Sequence, residues 1–128
     1  MKKFIALAAA ALVAASVYAG EFADISIKDV KAVSESKKAV IIDANGADSY
    51  KAGHVPGALN WADIKGDLAA KLPADKSTLI VAYCGNPKCG AYAAPANAIK
   101  KLGYTNIKHM SAGIAGWNDA KMPTEAGK

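Results

Sequence analysis

The sequence predicts an α/β domain with a central parallel β-sheet and helices on both faces. Two short apolar runs rich in β-branched residues, 39–43 and 79–83, are typical of buried strands. Strand and helix signals alternate along the rest of the chain, which favours a parallel sheet in a domain of this size. Sites in such sheets lie beyond the carboxyl ends of the strands, and Cys84 directly follows the second run.

The first half of the domain contains helix signals on both sides of the run 39–43. Ser26 is a favourable N-cap, and apolar residues recur behind it at helical spacing, which predicts a helix through Lys37. Gly53 and Pro73 are typical terminators of helical segments. The elements bounded in this way are a helix at 26–37, a helical turn at 48–51, a brief strand at 57–61 and a helix at 63–72.

The second half repeats the alternation after the run 79–83. The alanine-rich segment 91–102 has helical composition, and Pro95 is tolerated there only near the first turn. Gly103 is a natural terminator of that helix. The elements that follow are a strand at 106–110 and a short last helix at 113–118.

The first 19 residues have the three-part pattern of a secretory signal peptide. A basic head precedes an apolar run at 4–17, and Val17-Tyr18-Ala19 fits the small-residue motif before a cleavage site. The apolar run is short and no stop-transfer pattern follows it, which disfavours a membrane anchor. We therefore expect cleavage after Ala19 and a single domain at 20–128, located in a bacterial periplasm without stable membrane association.

All 16 basic residues of the chain are lysines, set against 11 acidic residues, for a net charge of +5. Removal of the signal peptide takes away two lysines and lowers the net charge to +3. The remaining lysines are scattered along the chain, so the sequence does not support nucleic-acid binding.

Cys84 is the candidate nucleophile of the domain. It lies where a buried strand ends and a loop leads into a helix, and there loop N–H groups and the helix dipole favour a thiolate. Cys89 follows five positions later in the same loop, so a bridge between the two would constrain little of the unfolded chain. In an oxidising compartment a small structural disulfide is the alternative to a reactive pair.

Several motifs resemble those of the rhodanese family. The first signature is carried by Ile41-Ile42-Asp43, Tyr50 and Gly53-His54-Val55-Pro56-Gly57-Ala58. The second half is carried by Val81-Ala82-Tyr83-Cys84, Leu102-Gly103-Tyr104 and Gly113-Ile114-Ala115-Gly116-Trp117, in the family's order. The resemblance implies a rhodanese-like α/β fold and a sulfurtransferase of the thiosulfate sulfurtransferase type. The cysteine would carry a persulfide, without metal or organic cofactor.

The resemblance implies two half-reactions at Cys84. Its thiolate takes the sulfane sulfur of a donor such as thiosulfate, a polysulfide or a persulfide, and a thiol or cyanide acceptor then removes it. A thiolate beside an anionic donor requires loop N–H groups and nearby positive charge. Lys88 is the loop's sole cation, and Gly85, Asn86 and Gly90 complete the candidate anion-binding loop.

Two positions depart from the family's pattern. The family usually places an arginine five positions after the cysteine, where this chain has Cys89. A second arginine often follows the first-signature aspartate, where this chain has Asn45. Lysine offers a point charge without the planar fork that matches an oxyanion, so we expect inefficient use of thiosulfate. A phosphatase of the related Cys-x5-Arg type is disfavoured for the same reason.

Other residues are expected to support the site. Asp43 either orders loop N–H groups by hydrogen bonding or caps the turn after its strand. His54 is expected to stabilise the fold away from the nucleophile, and His109 to be a strand residue near the rim of the site. Trp61 and Trp117 are expected to be core aromatic residues, and either could line the pocket.

Three functions are compatible with this pattern. The first is sulfur transfer at Cys84, and the second is thiol–disulfide exchange between Cys84 and Cys89. The third is a rhodanese-like binding domain without turnover. Cys89 is also a candidate resolving or protective thiol that attacks the inner sulfur of a Cys84 persulfide. The cysteine spacing fits no standard zinc pattern, so no metal site is predicted.

Overall fold

The computed structural model describes residues 22–127. The strands are β1 (Ala23–Asp24), β2 (Ala39–Asp43), β3 (Leu59–Asn60), β4 (Leu79–Tyr83) and β5 (Ile107–His109). The helices are α1 (Ile27–Ser36), α2 (Ala47–Ala52), α3 (Trp61–Ile64), α4 (Leu68–Lys71), α5 (Ala93–Lys101) and α6 (Gly113–Asp119). The predicted signal peptide, 1–19, lies outside the described residues. Within 22–127, no helix has the length and apolar character needed to cross a membrane.

The five strands form one parallel sheet in the order β1-β5-β4-β2-β3. β4 occupies the centre of the sheet, and its pairing with β2 runs in register from Ala39 opposite Leu79 to Asp43 opposite Tyr83. The carboxyl ends of these two strands therefore lie side by side. This register brings the residues that follow β2 next to the loop that follows β4.

Helices cover both faces of the sheet, which confirms the predicted fold class. Side chains alternate along β4 because successive residues of a strand point to opposite faces. Ile80 and Ala82 pack with residues of α3, α4 and α5. Val81 and Tyr83 pack with residues of α1, α2 and α6 on the other face. The sheet thus has a buried core on each side.

The predicted helix boundaries near Ser26 and within 91–102 agree with the structure. The Ser26 hydroxyl accepts a hydrogen bond from the Asp29 amide at 3.1 Å and caps α1, which ends when Lys37 adopts a left-handed conformation with φ 59°. Pro95 lies in the first turn of α5, where the N–H that proline lacks has no partner within the helix. A side-chain cap thus marks the start of α1, whereas the position of a proline marks the first turn of α5.

The prediction of a single helix at 63–72 is wrong, because the structure has two short helices there, α3 and α4. The Asn60 side chain accepts a hydrogen bond from the Ala62 amide at 3.2 Å, so helical structure begins at Trp61. Gly66 lies in the turn between α3 and α4, where its conformational freedom opposes a continuous helix.

The sheet differs from the prediction in the length of two strands and in one additional edge strand. The strands predicted at 57–61 and 106–110 are shortened to β3 and β5. The pattern does not predict β1, whose two residues pair with β5. Asp24 of β1 accepts a hydrogen bond from the Ser111 amide at 2.9 Å, which ties this edge to the turn between β5 and α6. A strand of two residues has too little periodicity to be recognised from sequence.

Candidate active site

Cys84 lies at the carboxyl end of the central strand, with 1% of its surface exposed. Its carbonyl oxygen accepts a hydrogen bond from the Ile114 amide at 2.9 Å, and the Gly85 carbonyl accepts one from the Ala115 amide at 2.9 Å. The first turn of α6 therefore holds both carbonyls. In a trans peptide the N–H points opposite to the C=O, so the amides of Gly85 and Asn86 are directed away from α6.

Gly113 allows α6 to come this close to the Cys84 loop. A Cβ atom at this position would lie 2.5 Å from the Gly85 carbonyl carbon and 2.6 Å from the Asn86 amide nitrogen. Its φ of +67° is also a conformation that favours glycine. The sequence segment that begins at Gly113 predicted a short helix and supported the resemblance to a family. The contact with the loop follows from the fold alone.

Cys84 and Cys89 are joined by a disulfide, with their Cα atoms 6.3 Å apart. The turn between them is closed by hydrogen bonds from the Cys89 amide to the Asn86 carbonyl at 3.0 Å and from the Lys88 amide to the Asn86 side-chain oxygen at 2.8 Å. Cys84 must therefore be released by a reductant before it can act as a thiolate. The bridge is compatible with either predicted role, a local structural disulfide or a reactive pair.

The predicted anion-binding loop lies at the surface next to this bridge. Asn86, Lys88 and Gly90 are exposed, and Gly85 is half-buried. No carboxylate of residues 22–127 lies within ion-pair distance of Lys88, so its charge is available to a bound anion. Neither Gly85 nor Gly90 has a positive φ. The glycine that the loop geometry requires is therefore Gly113.

Asn45, in the position where the family often has an arginine, lies against the Cys84 loop. Its side-chain oxygen is 3.5 Å from the point where a Cβ atom of Gly85 would lie. Its side-chain nitrogen is buried and has no hydrogen-bond partner among residues 22–127. A buried donor without a partner is unfavourable in a folded protein, and a bound ligand would relieve that cost.

Asp43 is fully buried and caps the turn after β2, which is one of its two predicted roles. One carboxylate oxygen accepts a hydrogen bond from the Asn45 amide at 2.7 Å, and the other accepts one from the Tyr83 hydroxyl at 2.6 Å. The Tyr83 hydroxyl in turn accepts a hydrogen bond from the Val55 amide at 3.0 Å. Sequence reasoning missed Tyr83, although the equal lengths of the two apolar runs would place it opposite Asp43.

The Tyr83 hydroxyl also makes stability depend on pH. Burial, and next the neighbouring Asp43 carboxylate, raise the pKa of Tyr83 above its usual value of 10.0. The phenol thus ionises more readily in the unfolded chain. Its contribution to stability is complete below about pH 10 and is lost as the pH rises from there toward the folded-state pKa.

We expect Tyr83→Phe to lower the free energy of unfolding by about 1–3 kcal/mol at neutral pH, because Asp43 and Val55 each lose a buried partner. The variant should also show a shallower fall of stability above about pH 10 than the wild type. Urea unfolding at neutral and alkaline pH measures both effects. Tyr92→Phe is the matched control, because within residues 22–127 hydroxyl hydrogen bonds are made by Tyr50, Tyr83 and Tyr104 but not by Tyr92. Equal losses in the two variants would contradict the prediction.

His54 is buried, and its contacts are with Tyr50 and Glu125. Its ring stacks on Tyr50 with centroids 3.6 Å apart, and its Nδ1 lies 2.7 Å from the Tyr50 carbonyl oxygen. Its backbone pairs with Glu125 through two hydrogen bonds of 2.9 Å. His54 therefore joins α2 to the last described residues of the chain.

The remaining predicted side chains lie in the core. His109 is buried at the end of β5, and its ring stacks on Tyr92 with centroids 3.4 Å apart. Trp117 is fully buried and donates a hydrogen bond to the Pro123 carbonyl at 2.7 Å. Trp61 is partly buried against the core that contains α3, α4 and α5.

In the part of the chain that the structure describes, no group of three or more His, Cys, Asp or Glu residues could hold a metal ion.

Comparison with known proteins identifies the family. The family model described as Rhodanese-like domain matches residues 26–120. The thiosulfate sulfurtransferase GlpE of Pseudoalteromonas translucida is 32% identical over 101 residues, which cover 77% of this chain and 91% of GlpE. The uncharacterized protein YibN of Escherichia coli is 29% identical over 93 residues, or 70% of this chain. That match spans 63% of YibN, less than two thirds of its length.

Among solved structures, a Bacillus halodurans protein superposes with a TM-score of 0.72 at 22% sequence identity, covering 94% of this chain and 85% of that protein. At this identity the superposition is a finding about the fold. The family match covers the strands β2 to β5 and both cysteines. The chain therefore belongs to the rhodanese-like domain family.

Proposed function

We propose that this protein is a periplasmic sulfurtransferase, or sulfane-sulfur carrier, that holds a persulfide on Cys84. The observation that carries the proposal is the position of Cys84 at the end of the central strand, with the Cys84 and Gly85 carbonyls bound by α6. The amides of Gly85 and Asn86 are thereby directed to the other side of the loop, toward an anion bound there. A relative named as a thiosulfate sulfurtransferase, GlpE, supports the reaction class. The leader at 1–19 supports the location.

The reaction has two balanced halves. The reduced Cys84 thiolate attacks the outer sulfur of thiosulfate, the sulfur–sulfur bond of the donor breaks, and sulfite leaves with the electron pair. An acceptor thiolate or cyanide then attacks the sulfane sulfur and regenerates the Cys84 thiolate. No net oxidation occurs in this cycle, although the disulfide to Cys89 must first be reduced.

Donor recognition is assigned to three sets of groups around the sulfur. The Gly85 and Asn86 amides supply hydrogen bonds, and Lys88 supplies a positive charge at the surface that has no ion-pair partner within 22–127. The buried Asn45 side-chain nitrogen lacks a protein partner within 22–127 and is positioned beside Gly85. These donors replace the arginines of the family with weaker, single-point contacts.

The test is to locate the added sulfur. The protein is reduced, freed of reductant, and incubated with thiosulfate, a polysulfide or a low-molecular-weight persulfide before peptide mapping by mass spectrometry. We expect one extra sulfur atom on the peptide that contains Cys84, or its further reaction product with Cys89. No reaction of either cysteine with any donor would contradict the proposal and favour a binding domain without turnover.

The disulfide itself favours a second candidate function, thiol–disulfide exchange with a partner protein. In that case the pair would equilibrate with a thiol redox buffer at a potential typical of exchange-active proteins. It would also exchange rapidly with a reduced dithiol protein while transferring no sulfur. The donor experiment separates the two functions when sulfite is measured as well, because thiol–disulfide exchange alone takes no sulfur from thiosulfate and releases no sulfite.

We expect Lys88→Ala to raise the KM for thiosulfate about fivefold, which corresponds to roughly 1 kcal/mol for an exposed charge. Turnover of an uncharged persulfide donor should change little, because only the anionic donor uses the charge. Steady-state kinetics with both donors measure the difference. Lys101→Ala is the matched control, because it removes the same charge from the last turn of α5. Equal losses with both donors would show that Lys88 does not bind the anion.

A further inference from the structure

We infer that the Cys84–Cys89 pair has a further activity, the reductive release of the sulfane sulfur as hydrosulfide. In this cycle Cys89 is a resolving thiol, and the domain works as a dithiol-dependent sulfane-sulfur reductase. The inference rests on the proposed function, since it begins from a persulfide on Cys84. It differs from that function in its product, because a sulfurtransferase passes the sulfur on at the same oxidation level.

The loop holds the two sulfurs together through contacts that do not depend on the bridge. At the start of the loop, the Cys84 and Gly85 carbonyls accept hydrogen bonds from α6. In its middle, the Asn86 carbonyl and side-chain oxygen accept hydrogen bonds from the amides of residues 89 and 88. At its end, the Gly90 carbonyl accepts a hydrogen bond from the Ala93 amide at 3.1 Å, as α5 begins. The reduced loop is therefore preorganised to keep Cys89 beside Cys84.

Access favours the internal thiol over an external acceptor. Cys84 is 1% exposed, whereas Cys89 is half-buried in the same loop. A thiol held within bonding distance acts at a high effective concentration, because its position is already fixed before reaction. A bulky acceptor must instead reach a buried sulfur at the end of β4. Attack by Cys89 should consequently be faster than transfer to most external thiols.

The bridge adds little to the stability of the fold, which fits a reaction product better than a structural disulfide. It closes a ring of only six residues, for which the chain-entropy model gives about 2 kcal/mol, near the lower end of the range for disulfides. The same segment is already held by backbone hydrogen bonds at both ends. A disulfide at this position therefore restricts a segment that hydrogen bonds already order.

The proposed step is balanced in atoms and electrons. The Cys89 thiolate attacks the Sγ atom of the Cys84 persulfide, a new sulfur–sulfur bond forms between the two cysteines, and the bond to the outer sulfur breaks. The outer sulfur leaves as hydrosulfide with the electron pair and takes up the proton that the Cys89 thiol released. The sulfane sulfur gains two electrons and the cysteine pair loses two. A dithiol reductant, either a small dithiol or a reduced dithiol protein, then restores both thiols.

The test is a single turnover without reductant. Anaerobic protein with both cysteines reduced is mixed with one equivalent of thiosulfate, and sulfite, hydrosulfide and free thiols are measured. We expect the wild type to release about one equivalent each of sulfite and hydrosulfide and to end as the disulfide. Cys89→Ser should release sulfite, keep the added sulfur on Cys84, and yield at least about tenfold less hydrosulfide. Ala91→Ser, a nearby exposed control that keeps both thiols, should behave like the wild type.

Each contrary outcome has a distinct meaning. If the wild type keeps a stable persulfide on Cys84 and releases no hydrosulfide, the inference is overturned while the proposed sulfurtransferase stands. Equal hydrosulfide release by Cys89→Ser overturns the resolving role in the same way. If neither protein takes sulfur from thiosulfate or from a low-molecular-weight persulfide, both the proposed function and this inference fail. Cys89→Ala is measured in parallel, so that the conclusion does not depend on how one side chain fits the loop.

Discussion

Replacing Cys84 with serine is expected to reduce sulfur transfer by about a thousandfold or more while the fold remains intact. Serine has nearly the same size, but its hydroxyl is not ionised at neutral pH and is a poor nucleophile toward sulfur. Cys84 is buried at the end of β4, and the only other thiol of the chain is Cys89. No other described side chain near the loop can form a persulfide.

The measurement is sulfite release from thiosulfate, together with mapping of the added sulfur. Cys84→Ser also removes the disulfide, so the control must share that loss. Cys89→Ser is the matched control, because both variants lose the same bridge and its stabilisation of about 2 kcal/mol. Only the control keeps Cys84 and should still release sulfite in a first turnover. A Cys84→Ser variant with activity near that of the wild type would remove Cys84 from its assigned role.

Replacing Gly113 with alanine should both destabilise the fold and impair the site. The new Cβ atom would lie 2.5–2.6 Å from three backbone atoms of Gly85 and Asn86, so either α6 or the Cys84 loop must move. We expect the free energy of unfolding to fall by about 2–4 kcal/mol, from backbone strain at positive φ and from overpacking. Displacement of the loop would also disturb the hydrogen bonds that orient its amides, and sulfur transfer should fall about tenfold or more.

Gly103→Ala is the matched control for this change. Gly103 also has a positive φ, +102°, but nothing lies within 4 Å of a Cβ atom built there. That variant should lose only the strain contribution, about 1–2 kcal/mol, and keep its activity. Urea unfolding and sulfite release measure the two effects separately. If the variants lose equal stability and both remain fully active, the close approach of α6 to the loop has no role in the site.

Cys84 and Gly113 lie on opposite sides of the same peptide groups, those that join residues 84–86. In the proposed reaction Cys84 supplies the reacting sulfur, and Gly113 lets α6 approach closely enough to bind the Cys84 and Gly85 carbonyls. Asp43 organises a third side, because it holds the Asn45 turn and the Tyr83 hydroxyl at the neighbouring strand end. Cys84 thus lies where three segments distant in sequence are hydrogen-bonded together.

The sequence by itself determined the features that depend on local pattern. Apolar runs of β-branched residues predicted β2 and β4 at their observed bounds, because a buried parallel strand needs a continuous apolar segment. Ser26 predicted the start of α1, because capping involves residues only three apart. The position of Cys84 after a buried strand predicted where it lies in the sheet, since parallel strands present their carboxyl ends at one edge.

Tertiary structure alone decided the contacts between segments that are distant along the chain. The register of β2 against β4 sets Asp43 opposite Tyr83, and the turn from β5 into α6 brings Gly113 against Gly85. Asn60 shifts the start of α3 by a side-chain cap that competes with the expected strand. The Cys84–Cys89 bridge depends on how the loop bends between β4 and α5. Local propensity carries no information about such distances, because they arise only when packed helices and strands fix the loop ends in space.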